Sequence, residues 1–273
     1  MTEPILHPRT KQQLQAALRQ PPHALVLSGS IGMGKEHVAL WLAAELVGAK
    51  DIANFPYLHV VRPEAGKAIT IEQIRQLIAS MTLTVPGAQA VSRLGIIIDA
   101  HTMTVEAQNA LLKTLEEPPT GTVLLMTSAQ PQALLPTIRS RAQTIELLKP
   151  PLSQLAPHAS AQQLKLSDGL PGLTFALAAE DQEHPLVQAA GIARELLAAS
   201  AFNRLTQVEK LVKDKAMISS LLLIMSHMAH AALLTGKNSA RWQKVAQATH
   251  QAQLDQRAGV QPKLLLTTFM LSL

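Results

Sequence analysis

Apolar positions in the first 150 residues fall into two kinds of pattern, short runs and helical stripes. Ala24 to Leu27, Leu94 to Ile98 and Thr122 to Thr127 are short apolar runs, Leu94 to Ile98 with the signature of a strand covered on both faces in a parallel sheet, and Tyr57 to Val61 and Gln143 to Leu147 read as further strands. Between them the spacing becomes helical. Leu14, Ala17 and Leu18 mark a helix within 5–20 that Pro21-Pro22 ends, and an apolar-faced helix runs to Leu46. Thr70 and Gln73 form a T-x-x-Q capping box ahead of Ile71, Ile74, Leu77 and Ile78. Thr104 is placed to N-cap a helix with Ala107, Ala110, Leu111 and Leu115 on one face. Glu106 lies in its first turn, where the helix dipole favours negative charge, and Pro118-Pro119 stops it. Pro136 to Arg141 read as a short turn or helix. Strands alternating with helices predict a doubly wound α/β domain over residues 1–150.

Beyond Pro150-Pro151 the pattern is helical throughout, broken once at Gly169-Leu170-Pro171-Gly172. This predicts a small helical lid over 151–184 and an all-α bundle over 185–273. One uncharged stretch, between Lys215 and Lys237, is long enough to span a bilayer. Ser219, Ser220, Ser226, His227 and His230 interrupt it, so a buried bundle helix is expected and no membrane partner.

Composition narrows the class. Of 273 residues 47% are hydrophobic and 16% charged, which describes a globular protein rather than a disordered one. The chain has no cysteine, which removes structural disulfides and thiolate zinc sites. The opening residues MTEPILHPRT lack a basic-then-apolar signal pattern, so a cytoplasmic location is expected. The net charge of +5 is uneven: from Leu186 onward there are 10 Lys and Arg against 4 Asp and Glu. A surface for nucleic acid or for an acidic partner subunit is one reading. A solvated basic helix surface is the other, favoured by scattered charges and few aromatics.

The sharpest chemistry lies after the first strand. Gly29-Ser30-Ile31-Gly32-Met33-Gly34-Lys35 reads G-x-x-x-x-G-K between a strand and a helix, the context a phosphate-binding P-loop requires. Glycines let backbone N–H groups face phosphate oxygens, the helix N-terminus adds its dipole, and Lys35 supplies a mobile charge. Where working P-loops carry a Ser or Thr that ligates magnesium, this chain has Glu36. A carboxylate there repels phosphate unless a metal bridges the two. Asp99, directly after the Leu94–Ile98 run, places a second carboxylate at the carboxyl edge of the sheet, where open α/β folds bind ligands.

With HALVLSGSIGMGK at His23 to Lys35, the Asp99 strand, NALLKTLEEPP at Asn109 to Pro119 and the Ser140-Arg141-Ala142 turn in order, the chain resembles the bacterial clamp-loader subunits of the AAA+ class. Within them it is most similar to the delta-prime type of DNA polymerase III. The resemblance runs from about Leu6 to Pro151 and fades to helical character beyond Gly172. It implies a RecA-like P-loop core, a helical lid and a helical collar that packs into a pentameric ring. The implied partners are the other clamp-loader subunits and, through the complex, the sliding clamp and primer–template DNA.

The same resemblance implies that this chain is part of a DNA polymerase holoenzyme without an ATPase of its own. Asp99 matches the metal-associated Walker B aspartate, but Ala100 stands where ATPases of the class carry the glutamate that polarises water. The Gly169–Gly172 segment has no arginine at the second sensor position. Thr127 matches the first sensor. Gly29, Gly32, Gly34, Lys35, Asp99 and Thr127 would then form a vestigial phosphate site. No cofactor is required, and ATP is expected at most weakly held or at the interface with a neighbour.

Arg141 matches the arginine finger that reaches into a neighbour's ATP site, a task suited to a permanently charged, bidentate guanidinium. Arg139 reads instead as a surface ion-pair partner. Family members usually carry a four-cysteine zinc module between the P-loop helix and the next strand. Here only Val47 to Pro56 fills that gap, so no metal is expected, and His59 and His101 read as structural. Two rivals remain: an active clamp-loader ATPase of gamma or tau type (or another P-loop NTPase), and a helical nucleic-acid adaptor acting through the basic C-terminal third.

Overall fold

The computed structural model describes residues 2–64, 67–82, 91–179, 183–234 and 239–273. In chain order the first part contains α1 (Pro8–Arg19), β1 (Ala24–Ser28), α2 (Lys35–Val47), β2 (Leu58–Val61), α3 (Ile71–Met81), β3 (Arg93–Ile97), α4 (Val105–Glu116), β4 (Thr122–Ser128), α5 (Pro136–Arg139) and β5 (Gln143–Glu146). The strands form one sheet in the order β2-β3-β4-β1-β5, and every pair is parallel. β1 and β4 are buried along their whole length, whereas only one residue each of β2 and β5 is, as expected of central and edge strands. Each predicted run is found, displaced by a residue at one or both ends.

Register decides what meets at the carboxyl edge. Leu27 lies beside Thr127, and Ile97 beside Met126, so β1, β3 and β4 finish together. Ile98 extends β3 by donating its N–H to Val61 O at 2.9 Å. The chain then turns sharply at Asp99, whose φ of 49° is left-handed.

Helix ends follow local chemistry. Thr70 and Gln73 form the expected capping box on α3, and the Thr104 hydroxyl accepts from Ala107 N–H at 3.2 Å to open α4. Thr10 is fully buried and ties α1 to the edge of the sheet. Its hydroxyl donates to Glu146 O at 3.1 Å and accepts from Leu148 N–H at 3.2 Å.

α3 and α4 pack together over the sheet, their Ile74, Leu77, Leu111 and Leu115 sharing a core with Val26, Ile97, Leu124 and Met126. Burying each such side chain contributes about 1.5–3 kcal/mol. Gly95 permits the close approach. A Cβ there would lie 3.0 Å from Leu77 Cδ1 and 3.1 Å from both Leu124 Cδ1 and Met81 Sδ, so α3 sits on strand backbone.

The chain forms two compact units, Met1–Pro151 and Leu152–Leu273. The second is all helical: α6 (Leu152–Leu155), α7 (Ala161–Ser167), α8 (Pro171–Ala178), α9 (Pro185–Ala198), α10 (Ala201–Leu211), α11 (Lys215–Leu234), α12 (Ser239–Arg257) and α13 (Pro262–Ser272). The Gly169–Gly172 break joins α7 to α8, where buried Thr174 donates to Leu170 O at 2.8 Å. α11 is the uncharged stretch. By length and composition it could cross a membrane, yet it packs against α7, α9 and α12 and buries Ile218, Leu221, Leu222, Ile224 and Met225. Lys237, at the end of that stretch, lies outside the described residues.

Candidate functional site

The loop between β1 and α2 has the shape its glycines allow. Gly32 and Gly34 take φ of 87° and 77°, left-handed values that side-chain-bearing residues seldom adopt. Gly29 N–H donates to Ser128 O at 3.2 Å, and a Cβ on Gly29 would come within 3.2 Å of Leu147 O. α2 then starts at Lys35 with no side-chain cap, leaving its first N–H groups for a ligand or water. These backbone features suit a phosphate group.

The side chains suit it less. Lys35 is only 7% exposed, and its ammonium donates to Ser30 O at 3.0 Å. The expected mobile cation is therefore folded onto its own loop. Burial pushes its pKa down, against an opposing pull from Asp99. Glu36 is not a bare charge. Arg62, just past β2, reaches its Oε1 through Nε at 2.9 Å and through a terminal nitrogen at 2.7 Å. The repulsion expected from this carboxylate is thus relieved by a cation of the same chain rather than by a metal. A paired carboxylate stands where magnesium would need a hydroxyl.

Asp99 and Thr127 do meet. The Thr127 hydroxyl accepts from Asp99 N–H at 2.8 Å, fixing the turn that follows β3. Buried Ala100 comes next and offers no proton acceptor. His101, which the sequence suggests is structural, stands near this site. Burial lowers its pKa first, Asp99 raises it and Lys35 lowers it, so its ring lies within electrostatic reach of both. Its Nδ1 is buried with no hydrogen-bond partner among the described residues.

Among the described residues no cluster of three or more His, Cys, Asp or Glu could hold a metal ion. The gap from Val47 to Pro56 contains the left-handed cap Gly48 and a 3-10 turn, Ile52–Asn54, whose N-cap Asp51 accepts from Ala53 N–H at 3.1 Å.

Arg141 lies outside this pocket, on the turn after α5. One terminal nitrogen pairs with Glu116 Oε1 at 2.7 Å. The other donates to Thr137 O at 3.1 Å and Ser140 Oγ at 3.4 Å. Among the described residues no carboxylate pairs with Arg139, so the ion pair expected there is made by Arg141 instead. The turn is held from behind by Gln108 of α4, almost fully buried. Its Nε2 donates to Met103 O and Ala133 O, each at 3.3 Å, and its Oε1 accepts from Leu135 N–H at 2.8 Å.

A family model described as "DNA polymerase III, delta subunit" matches residues 6–151. The chain belongs to this DNA polymerase III family. Within it, the chain is similar to DNA polymerase III subunit delta' of Pseudomonas aeruginosa, 35% identical over 181 residues that cover 56% of this chain and 54% of that one. Subunit delta' of Bacillus subtilis is 34% identical over 190 residues, 63% of this chain and 55% of its own. The chain thus spans about half the length of the curated relatives it matches. The fold extends further than the sequence likeness. A solved DNA polymerase III gamma subunit-related protein of Thermotoga maritima superposes with a TM-score of 0.59 at 18% identity, over 96% of this chain and 97% of that one. Chain and neighbour share one fold, here a five-stranded parallel sheet with a glycine-rich loop after β1, followed by helices.

Proposed function

We propose that this chain is a clamp-loader subunit of DNA polymerase III, of the delta-prime kind, that does not hydrolyse ATP itself and lends Arg141 to the ATP site of a neighbouring subunit. On this reading residues 151–184 are the lid and 185–273 the collar of a pentameric ring. The sliding clamp and primer–template DNA are met through the assembled complex, in the cytoplasm. No zinc and no resident nucleotide are needed, and the glycine cradle at Gly29, Gly32 and Gly34 holds ATP weakly if at all.

The observation that carries this reading is the Glu36–Arg62 pair at the head of α2. It commits the side chain that should serve magnesium to an ion pair, in a site where Ala100 supplies no base. A positioned guanidinium contributes about 10³–10⁵ to related phosphoryl transfers, so Arg141 has work to do next door even when its own site has none. The test is a reconstituted clamp loader. Arg141→Ala is expected to cut hydrolysis at the adjoining site by at least about 10³-fold, and Lys35→Ala to leave the complex unaffected. An unaltered rate with Arg141→Ala overturns the reading.

His101 supports one rival, an active ATPase. A neutral imidazole beside Asp99 is a general base in kind. Hydrolysis by the purified chain, lost on both Lys35→Ala and His101→Gln, would establish that rival.

A further inference from the structure

Glu116 is the last residue of α4 and Glu117 is its C-cap. Two carboxylates there oppose the helix dipole, which favours cations at this end. A local rule broken without structural return points to another use for the residue. Among the described residues Glu116 pairs with Arg141, 25 residues away, at 2.7 Å.

We infer that Glu116 is a positioning residue for Arg141, holding its guanidinium in the pose that meets a neighbouring subunit's phosphate. This rests on the finger reading above. A guanidinium is a planar fork with five N–H donors. Thr137 O and Ser140 Oγ take one terminal nitrogen and Glu116 the other, and the Nε–H has no acceptor among the described residues. Three acceptors shared between the two terminal nitrogens fix a long side chain while leaving donors for a second partner. The Arg141 side chain is 35% exposed and that of Glu116 51%, so an incoming subunit can reach the guanidinium without displacing its anchor. The rotamer freedom of arginine is then surrendered within this chain, not when the phosphate arrives.

The test uses a reconstituted clamp loader whose other ATP sites are disabled in their own P-loops. Glu116→Ala is expected to lower kcat at the adjoining site by about 5- to 50-fold with the ATP KM unchanged. That lies between the few-fold an exposed ion pair supplies and the about 100-fold loss for a catalytic group misplaced by 1 Å. Glu116→Gln keeps an acceptor oxygen and should stay within about 3-fold of the parent. On an Arg141→Ala background, Glu116→Ala should do nothing more, because positioning has no object left. Unchanged or faster hydrolysis with Glu116→Ala, or a further loss on the Arg141→Ala background, overturns the inference while leaving the finger intact. No effect of Arg141→Ala alone overturns both.

Discussion

Gln108 offers the cleanest quantitative test of how the finger turn is built. It is 3% exposed and bridges three backbone groups: Met103 O and Ala133 O at 3.3 Å, and Leu135 N–H at 2.8 Å. Leu135 is the N-cap of α5 and makes no side-chain cap bond, so Gln108 anchors the start of the helix that leads into the Arg141 turn. Gln108→Leu keeps the volume and removes all three bonds. Orphaning the Leu135 N–H costs about 1–3 kcal/mol. The two longer bonds to carbonyls add about 0.5 kcal/mol each, since a carbonyl retains a second lone pair. Apolar burial of the new side chain returns part of this, leaving a net loss of about 2–3 kcal/mol. At about 2–4 °C per kcal/mol, the melting temperature should fall by about 4–12 °C. Thermal and urea unfolding followed by circular dichroism measure the two losses, with exposed Asn109→Ala as a control expected to stay within about 0.5 kcal/mol. A loss below about 1 kcal/mol, or one equal to the control, would show that the bridge does not hold the turn.

Two further outcomes follow from Lys35 and His101. Lys35→Met removes an ammonium whose burial lowers its pKa, and should stabilise the chain by about 1–2 kcal/mol at neutral pH. The gain should shrink as pH rises through the lowered folded value towards the ordinary 10.5, where the native state sheds the proton before the unfolded chain does. A lower melting temperature for Lys35→Met at pH 7 would refute it. His101 is held neutral by burial, with Asp99 and Lys35 pulling in opposite directions. Its stability contribution is therefore complete above the ordinary value of 6.5 and is lost as pH falls from there towards the lowered folded value. His101→Gln should flatten the acid-side slope of stability against pH without abolishing it, because His59 is shifted the same way by burial. An unchanged slope would place the effect elsewhere.

Local signals carried most of the fold. Period and length found every strand, and the Thr70–Gln73 box and the Thr104 cap fixed two helix starts, because those interactions join residues three apart. The G-x-x-x-x-G-K spacing likewise located the cradle. What it could not supply was the state of the side chains around it. Glu36 and Arg62 are 26 residues apart and meet only because β2, paired parallel to β3, ends within reach of the first turn of α2. No periodicity reports such a pair, so Glu36 read as an unrelieved charge. Glu116 did carry a signal, an acid at the wrong end of a helix, although its partner depended on where α5 would pack. His101 was hidden for a simpler reason. A histidine one residue beyond a buried alanine looks structural, and its electrostatic coupling to Asp99 and Lys35 depends on tertiary placement.

The division between kept and altered positions in the phosphate site has a physical reading. Gly29 bonds to Ser128 and lies against Leu147, and Met33 is buried beneath the loop, so the cradle is also the joint that clamps β1 to β4 and to the end of β5. Replacing its glycines would strain the sheet whether or not phosphate is ever bound. Thr127 likewise holds the Asp99 turn through its hydroxyl, a role independent of nucleotide. The side chains at positions 36 and 100 are not part of that joint. A magnesium-binding hydroxyl and a catalytic base serve chemistry alone, and there this chain carries a surface ion pair and a buried methyl. A cradle that persists as architecture is therefore weak support for nucleotide turnover. Arg141 is the opposite case: half-buried, paired with Glu116 and contributing little to the core, it is available for the proposed role in a neighbour's site.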